Sequence, residues 1–209
     1  MSSPESGSYA RVILKGAPSA SIAIPPHPTL TTARLILRPW RNIDLAPFAA
    51  LNADPRVMEF FPKVLDRSES DAMAGRIIEH FAQHGFGLWA VEAQGVADFI
   101  GFVGLSVPRF EAHFTPCVEI GWRLACDHWG HGFATEAARA ALDFGFDRLQ
   151  LPEVVSMTVP ANRHSWRVME HLGMTRSPAD DFDHPLLAEG HPLRRHVLYR
   201  MTRSAWIAA

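Results

Sequence analysis

A chain of 209 residues with 47% hydrophobic and 20% charged residues has the length and make-up of one ordinary globular domain, and no apolar run in it approaches the ~20 residues of a membrane-spanning helix. Lys+Arg 20 against Asp+Glu 22, with scattered arginines and only Lys15 and Lys63 as lysines, excludes a polybasic surface for nucleic acid or membrane. Cys117 and Cys126 stand outside any CxxC or metal-ligand spacing, which excludes a disulfide framework and fits a reducing, cytoplasmic setting.

Residues 1–29 are rich in Ser, Pro, Ala and Gly and read as an N-terminal tail or arm with no chemistry of its own; residues 30–209 read as one domain. Within the arm, "RVILKG" is too short for the apolar region of a signal peptide. The β-branched content of "YARVILKG" leaves open an edge strand or packing on a second subunit, so the arm invites a homodimer.

From there the pattern is regular. "ARLILR" alternates as a strand, Asp44 is placed to cap "LAPFAALN", and Asp54-Pro55 reads as a cap followed by proline at the first helical position. Ser68 opens a helix, "ESDAMAGRIIEHFAQH", which Gly85 ends. Three strand-like runs follow, "FGLWAVEA", "DFIGFVGLSV" and "CVEIGWRL", the first two joined by a turn at Gln94-Gly95, as in an antiparallel meander. A helix from Phe133 to about Arg148, the β-branched strand "EVVSMTV", a shorter helix "SWRVMEHL" closed by Gly173 and a last strand "RHVLYRMT" complete the chain. Strand, helix, strand implies one parallel crossover. The expected fold is α/β (α+β): a mixed, mostly antiparallel sheet with one parallel strand pair and flanking helices.

The segment "DHWGHGFATEAARAAL" places two glycines just before a helix. A helix start exposes about four unpaired N–H groups and a partial positive charge, and so attracts phosphate. Gly130 and Gly132 can adopt φ > 0 and leave no Cβ in the way, so amides from Gly130 to Thr135 can converge on a pyrophosphate. A tight strand-to-helix turn, with glycine present only for geometry, is the other reading. A dinucleotide fingerprint fails because Thr135 stands where its third glycine belongs, and a Walker loop fails for want of a lysine.

Two motifs in order carry a family resemblance. Trp129-Gly130-His131-Gly132-Phe133-Ala134 is similar to the Gln/Arg-x-x-Gly-x-Gly/Ala signature of the GNAT superfamily of acetyl-CoA-dependent N-acyltransferases, with tryptophan in place of the first polar residue. "NRHSWRVMEHLGM" resembles the Asn-x-x-Ser and Leu-Gly-Met/Phe pattern of its RimJ/RimL-like branch, the ribosomal-protein N-terminal acetyltransferases. The resemblance spans about residues 30–203; the arm and "DFDHPLLAEGHPLRR" lie outside its motifs.

The resemblance implies a GNAT-like acyl-CoA N-acyltransferase fold with a splayed parallel pair, and acetyl-CoA as cosubstrate. Its pyrophosphate would lie on the amides of Gly130, His131, Gly132, Phe133, Ala134 and Thr135, and its pantetheine would pair like a strand with Trp122, Arg123 and Leu124. A backbone N–H near Trp122 or Arg123, at a bulge of that strand, would hold the oxyanion. An amine, protonated at pH 7 even when its pKa is near ~8, then needs a base, and the departing thiolate an acid. Glu119, which shares its alternation with Gly121, is the candidate base, unless it only binds water or Arg123. Asn162 is the candidate for the pantetheine amides and Ser165 for the thiolate, although Ser165 also suits a plain helix cap.

Other polar residues draw quieter readings. His184, His191 and His196 match no metal spacing, so no metal is expected. Arg194 and Arg195 read as a solvated strand face with an acidic substrate group or nucleotide phosphate as the alternative, and Arg139 and Arg167 as weaker nucleotide contacts. Phe60, Phe61, Phe86 and Trp89 either wall the acceptor site or belong to the core. The expected activity is acetyl transfer to a primary amine, of a small molecule or a peptide or protein N-terminus, by direct attack in a ternary complex; a catalytically inactive CoA-binding module of the same fold is the alternative. Acceptor choice in such a fold rests with the first two helices and the loops before the last strand.

Overall fold

The structure, a computed structural model, describes residues 28–208. The strand suggested at "YARVILKG" and nearly all of the arm lie outside the described residues. Where the described chain begins, Pro28 accepts a 2.6 Å hydrogen bond from the Trp89 indole.

Nine strands form one sheet in the order β1-β2-β3-β4-β5-β6-β9-β7, with β8 pairing on β9. In chain order they are β1 (Leu30–Thr31), β2 (Leu35–Arg38), β3 (Leu88–Ala93), β4 (Ala97–Ser106), β5 (Glu119–Leu124), β6 (Glu153–Thr158), β7 (Thr175–Arg176), β8 (Phe182–Asp183) and β9 (Arg195–Thr202). The helices are α1 (Leu45–Ala53), α2 (Arg67–His84), α3 (Phe133–Asp143), α4 (Arg163–His171) and the short α5 (Arg203–Ile207). β3, β4 and β5 form the expected antiparallel meander, and β5 with β6 the expected parallel pair. β4 is buried continuously from Ile100 to Leu105 because helices cover both faces of the sheet at its centre. On one face α3 lays Phe133, Ala137, Ala138, Ala141 and Leu142 against the strands. Small alanines at i, i+1 and i+4 (Ala137, Ala138 and Ala141) let that helix approach closely. The other face carries α1 and α2, with Phe48, Met58, Ala74 and Ile77 packed over Phe102.

Several element starts differ from expectation for local reasons. Asp66, not Ser68, begins α2: its carboxylate accepts the Glu69 N–H at 2.8 Å while Glu69 accepts the Asp66 N–H at 3.1 Å, a complete capping box. Gly85, at φ 73°, ends the helix as expected. Asp44 stands at the expected N-cap position of α1, but its carboxylate bonds no amide of that helix. Its carboxylate is 1% exposed and takes a bidentate pair from Arg38 at 2.8 and 2.9 Å, plus the Arg41 N–H at 2.7 Å. Asp54-Pro55 starts a turn instead of a helix, Asp54 being occupied by the N–H and guanidinium of Arg56. The helix from Phe133 is α-helical only to Asp143 and continues as a π-helical turn, Phe144–Arg148, closed by Leu149 N–H to Phe144 O at 3.2 Å.

Candidate active site

The parallel pair opens almost as soon as it forms. Val155 N–H donates to Val118 O at 2.9 Å, and the register holds at Glu119 and Val155 alone. One residue on, the Ser156 hydroxyl takes the Ile120 carbonyl at 3.0 Å in place of a backbone partner. Because alternate residues of a strand turn their backbone groups to the same side, Trp122 and Leu124 share the direction of Val118 and Ile120, toward β6. They meet no strand there. The Leu124 carbonyl is engaged by the Trp129 indole N–H at 2.8 Å, which leaves the N–H and C=O of Trp122 and the N–H of Leu124 facing the gap.

Arg123, expected beside the cofactor, turns both its backbone and its side chain away from this gap. Its backbone faces β4, in register with Phe102, and its guanidinium is buried under α1 and α2. There it donates to Asn52 Oδ1 at 2.6 Å and lies 4.0 Å from the Phe61 ring centroid. Burial lowers its pKa to about 10. The expected bulge is absent from β5, whose pairing with β4 runs without interruption; the irregularity lies between β3 and β4 at Val91 and Ala93.

Beyond β5 the chain makes a short turn, Cys126–His128, and enters the two-glycine loop. Gly130 and Gly132 adopt φ 77° and 79°, the left-handed region in which glycine is unstrained. A Cβ at Gly130 would meet nothing within 4 Å, and one at Gly132 only the Arg34 guanidinium at 3.5 Å. No side chain caps α3, so the amides at its start point outward. Trp129 stands where the signature has its first polar residue: its indole ties the loop to β5, and its ring lies 5.7 Å from that of His164 on α4.

A clasp invisible in the sequence holds this loop from the far edge. Arg34 donates to His131 O at 3.0 Å and to Glu136 at 2.7 Å, lies over the Phe133 ring at 4.8 Å, and is helped by Thr32, whose hydroxyl reaches Glu136 at 2.6 Å. A shallow hollow of about 580 Å³ starts at Gly132 and Thr135 and runs along the outer face of α3 past Arg139.

Asn162, not Ser165, caps α4: Asn162 Oδ1 accepts the Ser165 N–H at 3.2 Å and its amide donates to Thr158 Oγ1 at 3.1 Å. The cap role foreseen for Ser165 therefore passes to its neighbour. The Ser165 hydroxyl makes no hydrogen bond among the described residues and shares the inward side of the helix with the buried Met169, four residues on.

Glu119 starts β5 opposite Ser106, on the sheet face that carries α1 and α2. Its carboxylate has no ion pair or hydrogen bond among the described residues, Arg123 included, and desolvation raises its pKa to about 7. Beside it a Cβ at Gly121 would meet nothing within 4 Å, so the sheet surface next to the carboxylate is open. His80 is close by but chemically spent. Its Nε2 accepts the Val107 N–H at 3.1 Å, so Nδ1 carries the proton given to Phe86 O at 3.0 Å. Burial, then the charge of His84, depresses its pKa to about 4. Sequence reasoning passed over both His80 and the Arg34 clasp.

A splayed parallel pair with free backbone groups, next to a glycine loop at a helix start, offers donors that could hold an extended phosphate-bearing cofactor. The family model described as the acetyltransferase (GNAT) domain matches residues 34–175. The chain belongs to the GNAT acetyltransferases. It is thus an acetyl-CoA-dependent acetyltransferase. The FsC-acetyl coenzyme A-N(2)-transacetylase of Aspergillus fumigatus is 32% identical over 197 residues, 89% of this chain and 81% of that one. The crystal structure of an acetyltransferase from Agrobacterium tumefaciens superposes with a TM-score of 0.66 at 30% identity, covering 83% of this chain and 94% of the other. RimJ of Mycobacterium smegmatis, solved in complex with CoA-disulfide, shares the fold with a TM-score of 0.65 at 18% identity over 87% and 93% of the two chains.

The remaining GNAT residues singled out by sequence fall into structural roles. Phe86 and Trp89 are core, whereas Phe61 is exposed over Arg123. Arg194 and Arg195 both reach Asp183, tying the β8–β9 hairpin. His184 and His196 pack ring to ring at 5.0 Å, and His191 receives the Leu193 N–H at 3.1 Å. Among the described residues no group of three or more His, Cys, Asp or Glu is arranged to hold a metal, and no helix is long and apolar enough to cross a membrane.

Proposed function

We propose that this GNAT domain acetylates a primary amine by direct attack on the thioester of bound acetyl-CoA, with Glu119 as base. The observation that carries the reading is the pairing of two features on one strand: a desolvated, unpartnered carboxylate at the start of β5, with a pKa of about 7, and the free N–H of Trp122 at the β5–β6 gap. Pantetheine pairs with Trp122 and the Leu124 N–H. The pyrophosphate rests on the amides from Gly130 to Thr135, and the nucleotide end enters the hollow toward Arg139.

Glu119 takes a proton from the ammonium, and a pKa of about 7 sets its basicity near working pH. The amine nitrogen then bonds to the acetyl carbon, and the Trp122 N–H stabilises the resulting oxyanion. Collapse of that intermediate breaks the C–S bond; the Ser165 hydroxyl gives its proton to the CoA thiolate and takes back the surplus proton of the acetylated nitrogen, so the products are a neutral amide and the CoA thiol, and Glu119 passes its proton to solvent. Asn162 acts by capping α4 and so fixing Ser165. Small-molecule amines and peptide N-termini are both admitted by this chemistry, and a homodimer through the arm remains part of the proposal.

Thiol release from acetyl-CoA over a panel of amines, combined with calorimetric titration of CoA, tests the reading. Turnover with at least one amine is expected. Tight CoA binding without turnover on any peptide, polyamine or aminoglycoside would favour the inactive binding module.

A further inference from the structure

Next to Glu119 the α2 side of the sheet opens into a cleft of about 240 Å³. Its floor is apolar, from Met73, Ile77 and Val107, and Ser106, the residue opposite Glu119 in the β4–β5 register, lies on its wall. Two charged side chains complete it, Arg76 from α2 and Arg109 from the loop after β4, both exposed. Neither guanidinium forms an ion pair or hydrogen bond among the described residues, in contrast to Arg67 at the start of α2, which pairs with Asp71 at 2.8 Å. His80, on the same wall, is neutral with both nitrogens satisfied, and so offers neither a charge nor a donor.

We propose that this cleft selects small amines that also carry a carboxylate, the ammonium facing Glu119 and the carboxylate lying between Arg76 and Arg109. The inference rests on the acetyl-transfer reading and narrows its acceptor. Charge order decides it: the cleft itself carries two cations and no carboxylate, and Glu119 stands beyond Ser106, its register partner on the cleft wall, so a zwitterionic amine is complemented at both ends. A polyamine would set a second ammonium against two guanidiniums. Guanidinium binds carboxylate through parallel N–H donors, which lysine cannot match. The apolar floor between the charges favours a hydrophobic body. The cleft volume lies below the ~300–1,000 Å³ of drug-sized pockets, which favours a small acceptor.

The test does not depend on turnover. N-acetylphenylalanine, its uncharged amide and an acetylated acidic peptide are titrated into the CoA-saturated protein, and into Arg76→Gln and Arg109→Gln, which lie outside the catalytic machinery. N-acetylphenylalanine should bind the parent more tightly than its amide. Each substitution should weaken that binding about tenfold, the equivalent of one charge-assisted hydrogen bond at ~1.4 kcal/mol per decade, with amide binding and CoA affinity unchanged. Equal binding of acid and amide to the parent, a preference that survives both substitutions, or binding of the peptide alone would each overturn the inference. Failure of the acetyl-transfer reading shows separately, as absence of thiol release with every amine.

Discussion

Arg34 and Glu136 lie 102 residues apart in the sequence, and they meet beside the glycine loop in an ion pair at 2.6 Å. Burial works against the Glu136 carboxylate, yet the bonds from Thr32 and Arg34 hold its pKa below the usual range. Through the second bond of Arg34, to His131 O, the pair sets the orientation of the glycine loop. Half-exposed ion pairs contribute at most about 1 kcal/mol to stability, so Arg34→Met should barely move the melting temperature. It should lower CoA affinity about tenfold, ~1.4 kcal/mol, because the loop amides lose their alignment. Parallel melts and CoA titrations check this; matched small losses in both would make the clasp merely structural.

At the other loop, the cap and the acid can be separated. Asn162→Ala should cost about 1 kcal/mol of stability, the usual value of a lost N-cap. Ser165→Ala should leave stability within ~0.5 kcal/mol, as for substitutions that remove no structural bond. Turnover of Ser165→Ala should fall roughly ten- to a hundredfold, at or below the low end of the general-acid range. Denaturant unfolding and initial rates on both variants decide. A Ser165→Ala protein as destabilised as Asn162→Ala, or one with full turnover, would remove the acid role.

The buried Arg38–Asp44 pair carries a larger stability effect. Arg38 also reaches Glu92 at 3.0 Å and Asp98 O at 2.6 Å, so it ties β2 to β3, to β4 and to the entry of α1. Asp44→Ala leaves a guanidinium that is 2% exposed without its bidentate partner. Breaking such a pair costs about 3–5 kcal/mol, which chemical denaturation should read as a lower midpoint with an unchanged slope.

Acid stability should report on His80. Its pKa is depressed from 6.5 to about 4 in the folded protein, so the unfolded chain takes up the proton first as pH falls. The stability held by the neutral ring is complete above pH ~6.5 and is lost progressively toward pH ~4. His80→Leu should be less stable than the parent at pH 7, and the gap between the two should narrow toward pH 4. A gap that stays constant over that interval would show that the ring does not titrate between those limits.

Much of this was legible along the chain. The alternation of β3, β4 and β5, the αL glycines at positions 85 and 173, and the two-glycine loop are local signals, each set by the conformational range of a few neighbours. The strand position of Glu119 was legible in the same way, whereas its candidacy as base came with the family resemblance. Contacts across the fold were not legible. Arg34 with Glu136, Arg38 with Glu92, and Arg123 with Asn52 join residues far apart in sequence, and nothing local distinguishes them from solvated charges. Asp44 and Asp54 show the converse: both have the residue type of a cap, but each carboxylate is taken by an arginine guanidinium and by a backbone amide outside any helix. Asn162 prevailed over Ser165 as cap because the helix began two residues before the apolar pattern did.

The role of Glu119 is the centre of the account, and its pH signature tests it most directly. The measurement is kcat/KM for acetyl transfer from saturating acetyl-CoA, from pH 5.5 to 9, in the parent and in Glu119→Gln. The amine's own ionisation appears in both proteins and cancels in their ratio. The carboxylate becomes ionised as pH rises through about 7, so the parent should gain on the variant across that interval. It should then hold an advantage of ~100-fold or more, as expected of a general base, with CoA affinity alike in the two. A ratio below about threefold, too small for general-base catalysis, or one independent of pH, would contradict the assignment.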